Sequence, residues 1–202
     1  PGEDGEVQTR LSALGIPFNG SPAHSAAITI NKYDTLQRLR AAGFATADQW
    51  LLLRKDYETD RGATLAAVEQ RFGYPLIAKP VDDGCSSAVK LIRSREQLEA
   101  YLELLFRASE PLPAAAAAVL RLKENEEFPQ KPLALIETLI TRGEAAHFLE
   151  VTGGMLTHID PTSGGIVYEV FEPSETLSSG EVLSLEEKFL AGEGQNITPA
   201  RF

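Results

Sequence analysis

Residues 73–92 read GYPLIAKPVDDGCSSAVKLI. Two short apolar runs, PLIAKP (75–80) and SAVKLI (87–92), flank a loop of small and acidic residues, and Val89 and Leu91 alternate against Lys90 as they would in a strand. Lys79 stands at the end of the first run, directly before Pro80. Gly84, Cys85, Ser86 and Ser87 are all small, so the loop can close over a ligand and offer backbone N–H groups and hydroxyls to it. A lysine at the strand end adds a point charge suited to a phosphate oxygen. The segment contains neither the G-x-x-x-x-G-K-[ST] loop nor the G-x-G-x-x-G fingerprint of the common nucleotide-binding turns. Read by itself, a surface hairpin with an exposed lysine accounts for it better than a phosphate clamp does, so the rest of the chain must decide.

Outward from this stretch, helices dominate the N-terminal side. Val7, Leu11 and Leu14 fall on one helical face, with Gly15 and Pro17 as stop signals. NKYDTLQRLRAAGF (31–44) puts Leu36 and Leu39 on one face and Gly43 at a C-terminal cap. QWLLLRKD (49–56) reads as a short strand. TLAAVEQRFG (64–73) reads as a helix with Leu65, Val68 and Phe72 spaced for burial. After the opening stretch, Ser94 followed by Gln97 predicts a capping box, ahead of a stripe of Leu98, Tyr101, Leu102, Leu105 and Phe106.

Residues 111–132 are biased and charged and read as a surface excursion. LALIETLI (133–140) is a buried-strand candidate, 145–159 a hairpin turning at Gly153-Gly154, and 164–173 a further strand. The last stretch, from 181 on, starts helical and runs into a Gly-rich loop. Helices and strands alternate first and strands dominate later, which predicts an α+β (α/β-like) layered fold.

The chain has 202 residues and a formal net charge of −10. That balance excludes the basic footprint of nonspecific nucleic-acid binding. The single cysteine, Cys85, rules out an intramolecular disulfide and fits a reducing cytoplasm. No apolar run approaches the ~20 residues of a membrane span. His24, His147 and His158 lack metal-ligand spacing. The acidic start at PGEDGE and the abrupt stop at ITPARF are those expected of an excised piece of a longer protein.

Four blocks of this sequence resemble, in order, those of the ATP-grasp enzymes, and among them the D-alanine–D-alanine ligase family. GEDGEVQTRLSALGIPFNGSPAHSAAITINKYDTLQRLRAAGF (2–44) is similar to the family's "GEDG" loop, "LGIPYTGS" stretch and "DK" helix. YPLIAKPVDDGCSSAVKLI is similar to its P-x-x-x-K-P-x-x-x-G-S-S-x-G-V hairpin. LIETLITRGE (135–144) is similar to its E-x-x-I-x-G-x-E strand and hinge, and SLEEKFLAGEGQNITPA (184–200) to its Y-x-x-K-Y … T-x-x-P-A loop.

The resemblance implies an ATP-grasp fold, two α+β subdomains sandwiching a nucleotide. It implies that residues 1–29 end an N-terminal substrate domain, 30–136 form the central subdomain, and 137–202 form an incomplete C-terminal subdomain with a lid loop. It implies roles as well. Lys32 and Lys79 would hold ATP phosphates, Glu137 would receive the adenine amino group, and Thr138 and Ile140 would present hinge backbone to the ring. Glu144 would accept the ribose hydroxyls and Lys188 would reach the terminal phosphate. Ser86 would lie in the phosphate-covering loop, and Glu3 and Cys85 would fall on the substrate side. Taken singly, any one of these lysines is more often a solvated surface residue. Converging from distant sequence, they would gather the cations that a triphosphate needs in an acidic chain.

Departures from the family pattern are also visible. Cys85 stands for a serine, Ala88 for a glycine of the covering loop, and Leu185 and Phe189 for tyrosines flanking the lid lysine. The magnesium ligands and a phosphoryl-stabilising arginine are expected after Phe202, so these residues alone are expected to turn over little. The expectation is an ATP- and magnesium-dependent carboxylate–amine ligase that joins two D-alanines through an acyl phosphate for peptidoglycan, cytoplasmic and possible as a homodimer. The alternatives are a ligase of other amino acids or acids, and a non-catalytic ATP-binding module.

Overall fold

The computed structural model describes residues 2–84, 86–124, 126–144, 150–176 and 196–201. The chain divides into two compact units, Pro1–Ile140 and Thr141–Phe202.

The first unit opens with three helices, α1 (Glu6–Ala13), α2 (Ala23–Ile30) and α3 (Lys32–Ala41). Strand β1 (Gln49–Leu53) leads into α4 (Arg54–Thr59) and α5 (Arg61–Phe72). β2 (Leu76–Pro80), β3 (Lys90–Ile92), α6 (Arg95–Leu105), α7 (Ala114–Val119) and β4 (Leu133–Thr138) complete it. The sheet is four-stranded in the order β1-β4-β2-β3. Each neighbouring pair is antiparallel, so β4, the last strand of the unit, lies between β1 and β2.

Strand alternation gives this sheet two unlike faces. One carries Leu52, Leu76, Ala78, Ile92, Ala134 and Ile136, all in the core cluster with Leu65 and Val68 of α5 and Leu98, Tyr101 and Leu102 of α6. The register places Lys79 opposite Leu135, and both Ile77 and Gln49 opposite Glu137. The second face therefore carries Gln49, Ile77, Lys79, Leu135 and Glu137.

Local signals explain the helix limits. Ser94 Oγ accepts the Gln97 N–H at 3.3 Å, as predicted. The return half of the box goes one residue earlier, from the Arg93 N–H to Gln97 Oε1 at 2.8 Å. Asp60 Oδ1 caps α5 by accepting the Ala63 N–H at 2.9 Å. Gly43, at φ 88°, ends α3 where a side chain would be strained. The run 49–56 is a strand only through Leu53, and Arg54 starts a helix.

Three expectations are corrected. The stripe of α1 is solvated: no residue of that helix is buried, and Leu14 just beyond it is 72% exposed. Residues 111–132 are no surface excursion, because they form α7 and send Ala116 and Phe128 into the core. Phe128 meets Tyr101 edge-on at 5.4 Å. Charge in the second half of the segment conceals this packing: Lys90 and Glu126 form an ion pair across it. Finally, Gly153-Gly154 does not turn a hairpin.

The second unit contains β5 (Glu150–Thr152), β6 (Met155–Ile159), β7 (Ile166–Val170), β8 (Ser174–Thr176) and β9 (Asn196–Ile197). β5 pairs with β8, and β8 with β9, whereas β6 pairs with β7. The glycine pair thus links two sheets. A primed turn needs positive φ at its central residues, and neither glycine has it. Gly154 instead admits Phe171, whose Cδ2 would lie 3.1 Å from a Cβ there. The hairpin turn falls at 160–165, where Asp160 Oδ1 accepts the Thr162 and Ser163 N–H groups and Gly164 takes φ 69°.

Candidate functional site

The second face of the four-stranded sheet collects charge. Lys79 and Glu137 leave neighbouring strands on that face, and Lys79 Nζ lies 2.5 Å from Glu137 Oε2. Both are largely buried, Glu137 at 6% exposure. Pro80 follows Lys79 and has no N–H to extend the ladder. The chain then leaves the sheet as the loop predicted to cover a ligand.

Lys32 approaches from α3. Asn31 caps this helix by accepting the Asp34 N–H at 3.0 Å, which leaves Lys32 as the first helical residue. Its N–H donates to the Val81 carbonyl at 2.9 Å, and its Nζ donates to the Asp83 carbonyl. Burial holds the Lys32 ammonium below its usual range, and repulsion from Lys79 lowers it further; Asp83, Asp82 and Glu137 oppose the shift. Two ammonium groups beside a helix N-terminus create a positive spot on an acidic chain, an arrangement suited to a polyanion.

The 81–89 loop is held by short contacts. The Ser87 N–H donates to the Gly84 carbonyl at 2.9 Å, and Ser87 Oγ donates to Asp83 Oδ2 at 3.3 Å. Ser86 and Ala88 take φ 58° and 49°, the left-handed region that glycine favours. Ala88 therefore holds a backbone that favours glycine, at a steric cost. Glu3 reaches the loop from the N-terminus: a Cβ on Gly84 would lie 2.7 Å from Glu3 Oε2. Gly84 thus lets an exposed carboxylate close on the loop backbone.

The structure brings together Lys32, Lys79, Glu137 and the loop bearing Ser86, with Glu3 against it. Thr138 and Ile140 follow Glu137 at the exposed end of β4; the Thr138 N–H is taken by the Asp48 carbonyl at 3.0 Å. Glu144 is an exposed residue of the second unit. Cys85, Lys188 and His147 lie outside the described residues.

Two features were missed by sequence reasoning. Gln49 is only 3% exposed, its Nε2 donates to the Tyr33 carbonyl at 3.4 Å, and its Oε1 has no partner. Alternation would have put Gln49 on one face with Leu51, but no local signal said that β1 pairs with the distant β4. The second feature is the Glu175 carboxylate of the second unit, fully buried and bound by Arg201 through Nε at 2.8 Å and Nη2 at 3.0 Å.

Behind β1, Arg71 braces the start of the strand. It donates to both Asp48 carboxylate oxygens, at 3.0 and 2.8 Å, and to the Gln49 carbonyl at 3.0 Å. The hydrogen bonds from Arg71 hold the Asp48 carboxyl below its usual range. Among the described residues, no group of three His, Cys, Asp or Glu could hold a metal ion, and no helix is long and apolar enough to cross a membrane.

Residues 39–112 match the sequence family described as the D-ala D-ala ligase C-terminus. The D-alanine–D-alanine ligase of Moorella thermoacetica is 31% identical over 169 residues, 80% of this chain and 53% of that protein. The one from Geobacter sulfurreducens is 37% identical over 106 residues, 52% of this chain and 31% of that protein. The chain thus spans about half the length, or less, of the curated relatives it matches.

Solved structures agree on the fold. The VanG D-Ala:D-Ser ligase of Enterococcus faecalis superposes with a TM-score of 0.67 at 22% identity, over 100% of this chain and 47% of that one. The D-alanine–D-alanine ligase of Coxiella burnetii gives 0.62 at 20% identity, over 87% of this chain and 41% of that one. By sequence this chain is similar to the D-alanine–D-alanine ligases, and its fold is that of their solved structures.

Proposed function

We propose that the whole protein is an ATP-dependent ligase that joins two D-alanines into the dipeptide used for peptidoglycan, and that this chain carries most of its nucleotide site. The observation that supports this best is the buried Lys79–Glu137 pair, with Lys32 beside it and Glu137 Oε1 buried without a donor. An orphaned buried carboxylate oxygen is costly unless a ligand supplies the missing N–H, and the adenine amino group supplies one. The residues present therefore fit ATP.

In this reading, Lys79 and Lys32 hold phosphate oxygens, and the 84–88 loop, with Ser86, covers them. Glu137 accepts from the adenine amino group while Thr138 and Ile140 border the ring. Glu3 and Cys85 face the amino-acid side. Glu144 for the ribose and Lys188 for the terminal phosphate rest on the resemblance alone. ATP would supply the phosphoryl group, and Lys79 and Lys32 would neutralise its charge alongside magnesium.

A D-alanine carboxylate oxygen bonds to the γ-phosphorus as the bond to ADP breaks. The amine of a second D-alanine then attacks the acyl carbon, phosphate leaves, and the surplus amine proton is lost to solvent. The covering loop serves by excluding water from the acyl phosphate. We assign residues 1–29 to the end of the substrate domain, 30–136 to the central ATP-grasp subdomain and 137–202 to the C-terminal one, with the enzyme acting in the cytoplasm.

The test is phosphate release by the full-length protein. D-alanine with ATP and magnesium is expected to yield ADP, phosphate and dipeptide, and Lys79→Met to abolish this. Release with other acids or amines but none with D-alanine would overturn the substrate assignment.

A further inference from the structure

The face that carries Lys79 and Glu137 holds a second buried acceptor that the proposed reading leaves unused. Gln49 and Glu137 are direct partners across β1 and β4, so their side chains leave the same face about 4.5–5.5 Å apart at Cβ. Their spare oxygens share one predicament: Glu137 gives Oε2 to Lys79, Gln49 gives Nε2 to the Tyr33 carbonyl, and both Oε1 atoms are buried without a donor. The Tyr33 contact fixes which way the Gln49 amide faces and so turns its oxygen away from α3. Arg71, donating to the Gln49 carbonyl and to Asp48, secures the strand beneath it.

We propose that Gln49 is a specificity residue which, with Glu137 opposite, accepts one of the two hydrogens of the adenine 6-amino group. This rests on the nucleotide site proposed above. An exocyclic –NH2 brings two donors to two neighbouring acceptors. A 6-oxo purine would set a third acceptor, with its lone pairs opposed, where the amino group brings two donors. Being neutral, glutamine adds this acceptor without a second negative charge beside Glu137, which a carboxylate at position 49 would do.

The test uses the full-length protein and isothermal titration with ATP, GTP and purine riboside triphosphate, which has hydrogen in place of the 6-amino group. Wild type is expected to prefer ATP over purine riboside triphosphate by about 10–100-fold, about tenfold per hydrogen bond. Gln49→Met is expected to narrow that preference by about tenfold through weaker ATP binding alone. Equal weakening of both nucleotides would show a structural role only, and an unchanged ratio would remove Gln49 from the site; either overturns the proposal.

Should Gln49→Met fail to fold by circular dichroism, N6-methyl-ATP and wild type decide. With both amino hydrogens engaged, it binds about tenfold more weakly than ATP, and equal affinity overturns the proposal. A wild type that binds no adenine nucleotide sinks the nucleotide site and this inference together. One that prefers ATP over purine riboside triphosphate but binds N6-methyl-ATP as tightly as ATP sinks only the inference, whereas equal binding of ATP and purine riboside triphosphate removes Glu137 from the amino group as well.

Discussion

The four-stranded sheet and the β6–β7 hairpin are both antiparallel and both rich in apolar residues, yet they end in opposite environments. On the sheet, Leu52, Leu76, Ala78 and Ile136 are buried under α5 and α6, and the other face is free to hold Gln49, Lys79 and Glu137. On the hairpin, Met155, Ile159, Ile166, Tyr168 and Val170 share one face, and every residue of both strands is exposed. Alternation marks a strand and its apolar side. Whether that side is buried depends on what packs on it, and most of the stabilisation comes from that packing.

The largest expected effect tests the buried face. Ile136→Ala opens a cavity in the middle of the sheet and should cost about 2–5 kcal/mol, read from urea denaturation. A change below 1 kcal/mol would mean that the core collapses around the site. Lys79→Met comes next, on the opposite face. It strands the Glu137 carboxylate and should destabilise the first unit by about 3 kcal/mol, while Lys79→Met combined with Glu137→Leu should restore most of the loss. Failure of the double variant to recover would show that the pair matters through packing rather than charge.

Ala88→Gly should stabilise by about 1 kcal/mol, because glycine adopts the φ of 49° without the Cβ clash. A loss in a thermal melt would mean that the buried methyl outweighs the strain.

A smaller effect is expected at the Asp48–Arg71 pair, which is nearly half exposed and worth about 0.2–1 kcal/mol. Arg71 lowers the folded-state pKa of Asp48 from its ordinary 3.8, so the stabilisation is complete above that value and fades as pH falls through the lowered one. Comparing the pH dependence of melting for wild type and Arg71→Ala checks the sign. The smallest expected effect is on the hairpin, where Ile166→Ala should change stability by under about 0.5 kcal/mol. A large loss there would erase the contrast between the two sheets.

Much of the first unit was legible residue by residue. The Ser94–Gln97 cap, the Gly43 stop and the strands around Lys79 all follow from interactions spanning a few positions. The charged segment 111–132 misled because Phe128 and Ala116 are buried by α6, a contact that no local pattern signals. Gly153-Gly154 misled because a glycine pair that admits Phe171 looks, in sequence, like one that turns a hairpin.

By itself the sequence determined the Gly43 stop of α3 and the Ser94 cap of α6, that Lys79 ends a strand before a loop of small residues, and that the family pattern runs through Lys32, Glu137 and the 84–88 loop. These follow from near-neighbour sterics, capping and motif order. Only the tertiary structure decided that β4 enters between β1 and β2, so that Glu137 meets Lys79 on one side and Gln49 on the other. Pairing between strands about 50 to 90 positions apart is chosen by the burial of a shared apolar face, a property of the assembled sheet and of no single segment.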